Sequence, residues 1–530
     1  MTRPAGTAVS LLAARGIWRP ALVVTGVTVG MSALVVATYA GAVGEGMDAA
    51  ALEALAHNPA IRTLFGEPVA LDTAGGFTVW RTGTVLAVLV SVWSLLATVR
   101  VTRGEEEAGR WGLLLAGRLT PAAVLRRHLA PLTATSAVTG SLLAAALTAA
   151  GTPWQGALLH GAGLASAGAF AVAVGAVVVQ VQPTRAGAAG SGLAVLGAGL
   201  LARMAGDSGP AAAWLRWLPP YGPLALTRPY HENRWAPLLV SLAAVVVLTG
   251  AALALCARRD VGAGLLRPPA GRAPRRHLLH SVPAFAMRRA LRPLAGWATG
   301  VAAYFLLIGV LATSLTGFLE QNPAFADLAA RAGFGGLDRV RGYVATLFAL
   351  LAVPIGAFAT ARLNAFVAAE VAGRLTLLRS GPVSRVRLLA AEVGSASAGA
   401  VALAVAAGLA TWLGTTVVGA GLPLTAALAG MLNVLPLALL GAGAATLAVG
   451  AAPRLVPVLG MLPTAGGFLL TVVTESVRAP AWIGALSPYA HLAGVPDAAP
   501  NWTAQGVLVA AAFALAALGG WAYGRRDVAG

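Results

Sequence analysis

The sequence predicts an all-α polytopic membrane protein with about twelve transmembrane helices, set out as two parallel six-helix repeats. Three observations lead there: a composition too apolar for a water-soluble chain, twelve apolar stretches of spanning length, and paired motifs that recur at nearly one offset. Composition settles the class. Of 530 residues, 58% are hydrophobic and 11% charged, with a mean hydropathy of +0.78, whereas a soluble protein of this length needs a charged exterior.

A spanning helix needs about 20 mostly apolar residues, because the hydrocarbon layer is roughly 30 Å thick and each residue rises about 1.5 Å. Along the chain this rule places spans near 21–43, 82–99, 129–150, 157–181, 187–205 and 236–257 in the first half. In the second half they fall near 295–318, 343–362, 395–420, 424–450, 455–474 and 505–524.

The duplication rests on register. The stretch EEEAGRWGLLLAGRLT at 105–120 returns, diverged, as AEVAGRLTLLRSGPVS at 369–384. Glu106, Ala108, Gly109, Arg110, Leu113, Leu114 and Gly117 match Glu370, Ala372, Gly373, Arg374, Leu377, Leu378 and Gly381 at an offset of 264, which Asn58-Pro59-Ala60 and Asn322-Pro323-Ala324 share. Trp214, Leu218, Pro220 and Tyr221 match Trp482, Leu486, Pro488 and Tyr489 at 268, and Arg258-Arg259-Asp260-Val261 matches Arg525-Arg526-Asp527-Val528 at 267. Gly, Ala and Leu coincide easily in such a composition; paired Trp, Tyr, Asn and Glu do not. The expected organisation is a first six-span repeat over 1–260, a basic linker with an interfacial helix over 261–290, and a second repeat over 291–530.

Charge orients the spans. Arginines gather before the first span, between the second and third (Arg100 to Arg127), at Arg185, and densely between the halves (Arg258 to Arg292); the second half repeats the pattern. The loop after the first span instead carries Glu45, Asp48, Glu53, Glu67 and Asp72 against Arg62. The positive-inside rule then puts both termini and the linker in the cytoplasm. An even number of spans per half leaves the two copies facing the same way, which predicts a pseudo-two-fold along the membrane normal.

Several function classes fall away. The net charge of +18 is spread over span ends rather than collected on a soluble domain, so anionic headgroups account for it and nucleic acid is not expected as a partner. The N-terminus imitates a signal peptide ending at Ala40-Gly41-Ala42, but its apolar run is too long and has an internal counterpart near 295–318, so it reads as a retained span. The single cysteine, Cys256, excludes an intramolecular disulfide and any multi-cysteine metal site. All 37 basic residues are arginine, and without lysine there is no phosphate-binding P-loop, so no ATPase site of that kind is expected in this chain. HExxH and GxSxG are absent, and His277 and His280 sit in the basic linker with no carboxylate neighbour. Ion-driven carriers hold their ion with carboxylates or histidines at mid-membrane. The predicted spans hold almost none: His160 is near a span end, and Asp207 and Glu475 follow the fifth span of each half.

What remains is a membrane body with two equivalent cytoplasmic elements. The EEEAGRWGLLLAG segment resembles the signature of actinobacterial ATP-binding-cassette exporter permeases of the type-2 class, in the long, internally duplicated branch described as polyketide-antibiotic (tetronasin-type) exporters. The resemblance covers essentially the whole chain. It implies a permease without cofactor, whose ATP is bound by a separate ATPase subunit in two copies per chain. It also implies that those subunits rock one six-span half against the other to export hydrophobic small molecules. By the same resemblance the coupling element that docks on the ATPase falls on Glu105, Glu106, Glu107, Arg110 and Gly117, then on Glu370, Arg374, Gly381, Pro382, Ser384 and Arg385. The family commonly continues with Pro-Val-Ser-Arg, as at Pro382–Arg385, whereas the first copy reads Arg118-Leu119-Thr120-Pro121 and carries three acids where the second has Glu370. Those departures imply unequal docking.

Residue chemistry agrees. Glu106 and Arg110, like Glu370 and Arg374, are four apart and expected on one helical face, with Leu113, Leu114, Leu377 and Leu378 as the apolar side. Gly117 and Gly381 are placed to stop each helix, and Thr120 and Ser384 to cap the next. The competing reading is a helix lying on the lipid surface. Segments 5–19 and 277–293 read as interfacial elbow helices. Trp214, Trp217, Tyr221, Trp482 and Tyr489 read as an outer aromatic belt rather than a substrate surface. Gly26 and Gly30 form GxxxG, expected for close helix packing. Two further classes stay open, an ion-driven multidrug carrier and a membrane-embedded enzyme acting on lipid-linked substrates.

Overall fold

The computed structural model describes residues 5–43, 62–63, 66–266, 278–323, 336–476 and 480–526. Outside them lie Glu45, Asp48, Glu53, Asn58-Pro59-Ala60, Ala324, Arg267, Arg272, Arg275, Arg276, His277, the Glu475 side chain and Asp527-Val528. The described chain is all-helical, and twelve of its helices are long and apolar enough to cross a membrane. It divides into two compact units, Met1–Arg272 and Ala273–Gly530.

In the first unit the spanning helices are α1 (Ala5–Val43), α2 (Ala74–Val99), α3 (Pro121–Ala149), α4 (Trp154–Val181), α5 (Arg185–Ser208) and α6 (Ala236–Arg258). In the second they are α7 (Val282–Gln321), α8 (Val340–Val371), α9 (Arg385–Val417), α10 (Leu424–Ala451), α11 (Pro453–Thr471) and α12 (Trp502–Arg525). Each overlaps a span expected from hydropathy, and most run further, because a helix continues past the hydrocarbon until a cap or a breaker ends it. Thr73, Thr120, Thr184, Ser281 and Ser384 are N-caps whose hydroxyls accept a backbone N–H from the first turn.

Two expectations are corrected here. The elbow segments are not separate helices: α1 and α7 run unbroken for 39 and 40 residues, with Pro20 and Pro293 inside them, each directly after an arginine. In α1 the residues Val9, Ala13 and Ile17, four apart, bury one stripe of the would-be elbow against the unit. Among the described residues nothing packs closely on Gly26 or Gly30, since a Cβ on either would meet open space.

Close packing occurs elsewhere. A Cβ on Gly161 of α4 would lie 2.3 Å from the Gly140 carbonyl oxygen of α3, and the reverse distance is the same. In the second unit Gly450 and Gly519 bring α10 and α12 together likewise, at 2.3 Å from the Gly519 oxygen. With no water to drive association inside a bilayer, such approaches supply van der Waals contact between helices. Gly161→Val is expected to cost about 1–3 kcal/mol by overpacking. Thermal unfolding of the purified protein would show it, and an unchanged midpoint would remove this crossing from the stabilising contacts.

Candidate functional site

The two repeated loops were expected to be continuous amphipathic rods. They are not. Gly109 and Gly373 have φ of +75° and +68°, a left-handed conformation that suits glycine and ends the preceding helix, so Glu106 and Arg110, or Glu370 and Arg374, do not share one helical face. The acid before each glycine turns inward and the arginine after it stays at the surface.

Glu106 is buried at the end of α2, beyond a π-helical turn at Arg100–Gly104. Its carboxylate accepts from Arg103 Nη1 at 2.9 Å, Arg259 Nη1 and Nη2 at 2.6 and 2.8 Å, and the Gly262 backbone N–H at 2.7 Å. Arg259, just past α6, also donates Nε to Gln180 at the end of α4 at 2.6 Å, and Arg103 donates Nη2 to the Pro183 carbonyl at 2.7 Å. One carboxylate thus ties the loop to α4 and α6. Glu107 accepts the Arg185 backbone N–H at 2.5 Å, placing a negative charge at the α5 N-terminus.

The second unit repeats this plan with its own residues. Glu370, buried at the end of α8, accepts the Tyr523 hydroxyl at 2.7 Å and pairs with Arg526 just past α12. Arg526 Nη1 reaches back to the Val449 carbonyl of α10 at 2.6 Å, and Arg385 Nη1 holds the Arg526 carbonyl at 3.0 Å. The arginine motifs that recur after the last span of each half are therefore the partners of the recurring loop acids.

Each loop also has a buried apolar anchor that the sequence reading passed over. Trp111, 1% exposed, stacks on His128 at 6.0 Å between ring centroids and joins Val124, Leu125 and Leu129 of α3. Leu375, at the same repeat position, packs on Phe366, Leu388 and Leu389. The signal was present as one apolar residue two positions after each repeated glycine. Where the first unit has His128, the second has Glu392, buried between Arg289 of α7 and Arg362 of α8, each at 2.8 Å. Arg289 and Glu392 of this triad lay beyond the predicted span ends, and Arg362 at the last residue of one.

Between acid and anchor each loop presents an exposed face. Arg110, Gly112, Ala116, Gly117 and Arg118 are exposed, and Leu113 is 79% exposed. In the second copy Arg374, Thr376, Ser380, Gly381, Pro382 and Ser384 are exposed, with Val371 at 84%. Arg110 forms a two-pronged pair with Glu105, whose hydrogen bond raises the guanidinium pKa above its ordinary value. Among the described residues Arg374 has no carboxylate partner. Thr120 caps α3 and Ser384 caps α9, both through hydroxyl contacts at 3.3 Å.

The five aromatics at the other end of the spans divide. Trp214, Trp217 and Trp482 are exposed on short helical turns. Tyr221 is buried, which pushes its phenol up to about 12, and Tyr489 packs on Phe468 with its hydroxyl buried. The tryptophans stay exposed, as an interfacial anchor requires, while the tyrosines pack inward.

Twelve candidate spans in two units with matching loops define a multi-pass membrane protein. A family model described as "Multidrug efflux system permease Rv1217c, C-terminal domain" matches residues 279–524. The multidrug efflux system permease protein Rv1217c of Mycobacterium tuberculosis is 33% identical over 491 residues, which covers 91% of this chain and 87% of that protein. The chain belongs to this family of multidrug efflux permeases.

Proposed function

We propose that the chain is the membrane subunit of an ATP-binding-cassette exporter that moves hydrophobic drugs, including polyketide antibiotics of the tetronasin type, out of the cell. The supporting observation is the loop plan found in each unit: a buried acid tied to the arginine after the last span, a buried anchor, and an exposed basic and apolar face. A loop held this way is a rigid handle. A partner that pushes on its face displaces the ends of the spans tied to Glu106 or Glu370, rather than bending a free loop.

In this reading two ATPase subunits dock on the faces around Arg110 and Arg374, both termini and the 261–290 linker lie on the same cytoplasmic side, and residues 1–260 and 291–530 are the two functional repeats. The chain itself performs no ATP chemistry and takes no cofactor. The spans offer apolar and small residues, which suits hydrophobic cargo entering from the inner leaflet. The test is transport by the chain in vesicles, with and without a co-expressed ATPase. Efflux that needs ATP and survives a protonophore is expected; efflux that persists without ATP and stops with the proton gradient would overturn the proposal in favour of an ion-driven carrier.

A further inference from the structure

At the end of the first unit opposite Glu106, a cavity of about 60 Å³ lies among α2, α4, α5 and the segment after Tyr221. A water needs about 10–15 Å³ on this scale, so the cavity admits a few water-sized particles and no drug, whose pockets run to hundreds of Å³. Its wall holds His160 of α4, 1% exposed, with neither ring nitrogen partnered among the described residues. Beside it in the wall is Arg203 of α5, 3% exposed, whose Nη1 is likewise unpartnered. Buried donors without partners are costly, and ones aimed into a small cavity call for an occupant.

Charge selects the occupant. The acids here lie against arginines: Asp207, whose Oδ2 makes no hydrogen bond among the described residues, is 2.7 Å from Arg203 Nε and 3.8 Å from Arg216 Nε, and Glu67 lies 2.9 Å from Arg228 and 3.4 Å from Arg216. Glu232 is shared between Arg228 and Arg234, and Arg62 is near enough for its charge to act on Asp207. Among the described residues, three arginines (Arg203, Arg216 and Arg228) and two carboxylates (Asp207 and Glu67) line the cavity. The surplus is positive.

In the second unit the corresponding crossing of spans is apolar among the described residues. At its crossing of second and fourth spans, Phe348 covers Gly430, where a Cβ would come within 2.4 Å of the ring. The first unit reverses the pair, with His160 over Gly83 at 3.2 Å. An imidazole replaces a hydrocarbon ring, and polar nitrogen enters the interior.

We propose that this cavity binds one small monovalent anion, of halide or carboxylate size, on Arg203 Nη1 and a ring N–H of His160. The site does not depend on how transport is powered. It is tested on the full-length protein in detergent micelles by equilibrium dialysis with radiolabelled chloride at constant ionic strength. Saturable binding of one chloride per chain is expected, displaced by bromide or formate and not by gluconate. Arg203→Gln combined with Asp207→Asn removes the cation without stranding its acid, and His160→Phe imitates the second unit. Each is expected to weaken chloride about tenfold or more, the loss of one charge-assisted hydrogen bond or its neutral neighbour. Thermal unfolding identifies which variants remain folded, and His160→Phe alone decides if the double variant does not. No saturable binding, which would mean water fills the cavity, or equal binding in a folded variant, overturns the proposal.

Discussion

Glu106→Ala is expected to destabilise the protein by about 3–5 kcal/mol, the usual cost of removing one partner from a buried ion pair. The loss is large because the carboxylate serves four donors at once, and alanine would leave Arg103 and Arg259 buried beside each other without a counter-charge. Like charges at close range in a poorly solvated site repel as well as lacking a partner. Glu370→Ala should cost less, since Glu370 holds Tyr523 and a partly exposed Arg526 rather than two buried arginines. Glu106→Gln keeps the shape and some hydrogen bonds and should fall between wild type and alanine. Chemical or thermal unfolding in micelles measures the series. A cost under about 1 kcal/mol for Glu106→Ala, the range of a surface pair, would show that the cluster is solvated and does not fasten the loop.

The twelve spans were legible because hydropathy over 20 residues reports directly on whether a segment tolerates lipid. The polar interior was not legible for the same reason. Arg203, Asp207, Arg362 and Glu392 are charges that lower a hydropathy window, so they read as span ends when they sit inside helices, neutralised by partners up to a hundred residues away. The Arg203–Asp207 pair, four apart, was the readable part, because that spacing puts both on one helical face. Glu106 misled for another reason. Its spacing to Arg110 satisfies the same rule, but the rule presumes a continuous helix, and Gly109 breaks it. The arginine motif after each last span was seen as evidence of duplication, and its chemical role appeared once Arg259 was found on Glu106 and Arg526 on Glu370. Repeats preserved at distant positions mark residues that meet.

Replacing Arg110 and Arg374 together with alanine is expected to abolish recruitment of an ATPase subunit while leaving the fold intact. Stability should hold because Arg110 is 56% exposed at its side chain and paired with a partly exposed acid, an arrangement worth at most about 1 kcal/mol, and Arg374 is an exposed arginine with no carboxylate to lose among the described residues. Docking should fail because truncating a charge that becomes buried and paired in an interface costs about 2–5 kcal/mol, and two such losses exceed what a micromolar complex can spare. The single substitutions should differ. Arg110 already pairs with Glu105, while Arg374 has no carboxylate partner among the described residues, so Arg374→Ala should weaken recruitment more than Arg110→Ala. Co-purification of tagged permease with the proposed ATPase subunit reads all three variants, with unfolding midpoints as the control for the fold. A double variant that retains its midpoint and still brings down the ATPase in normal amount places docking elsewhere on the chain.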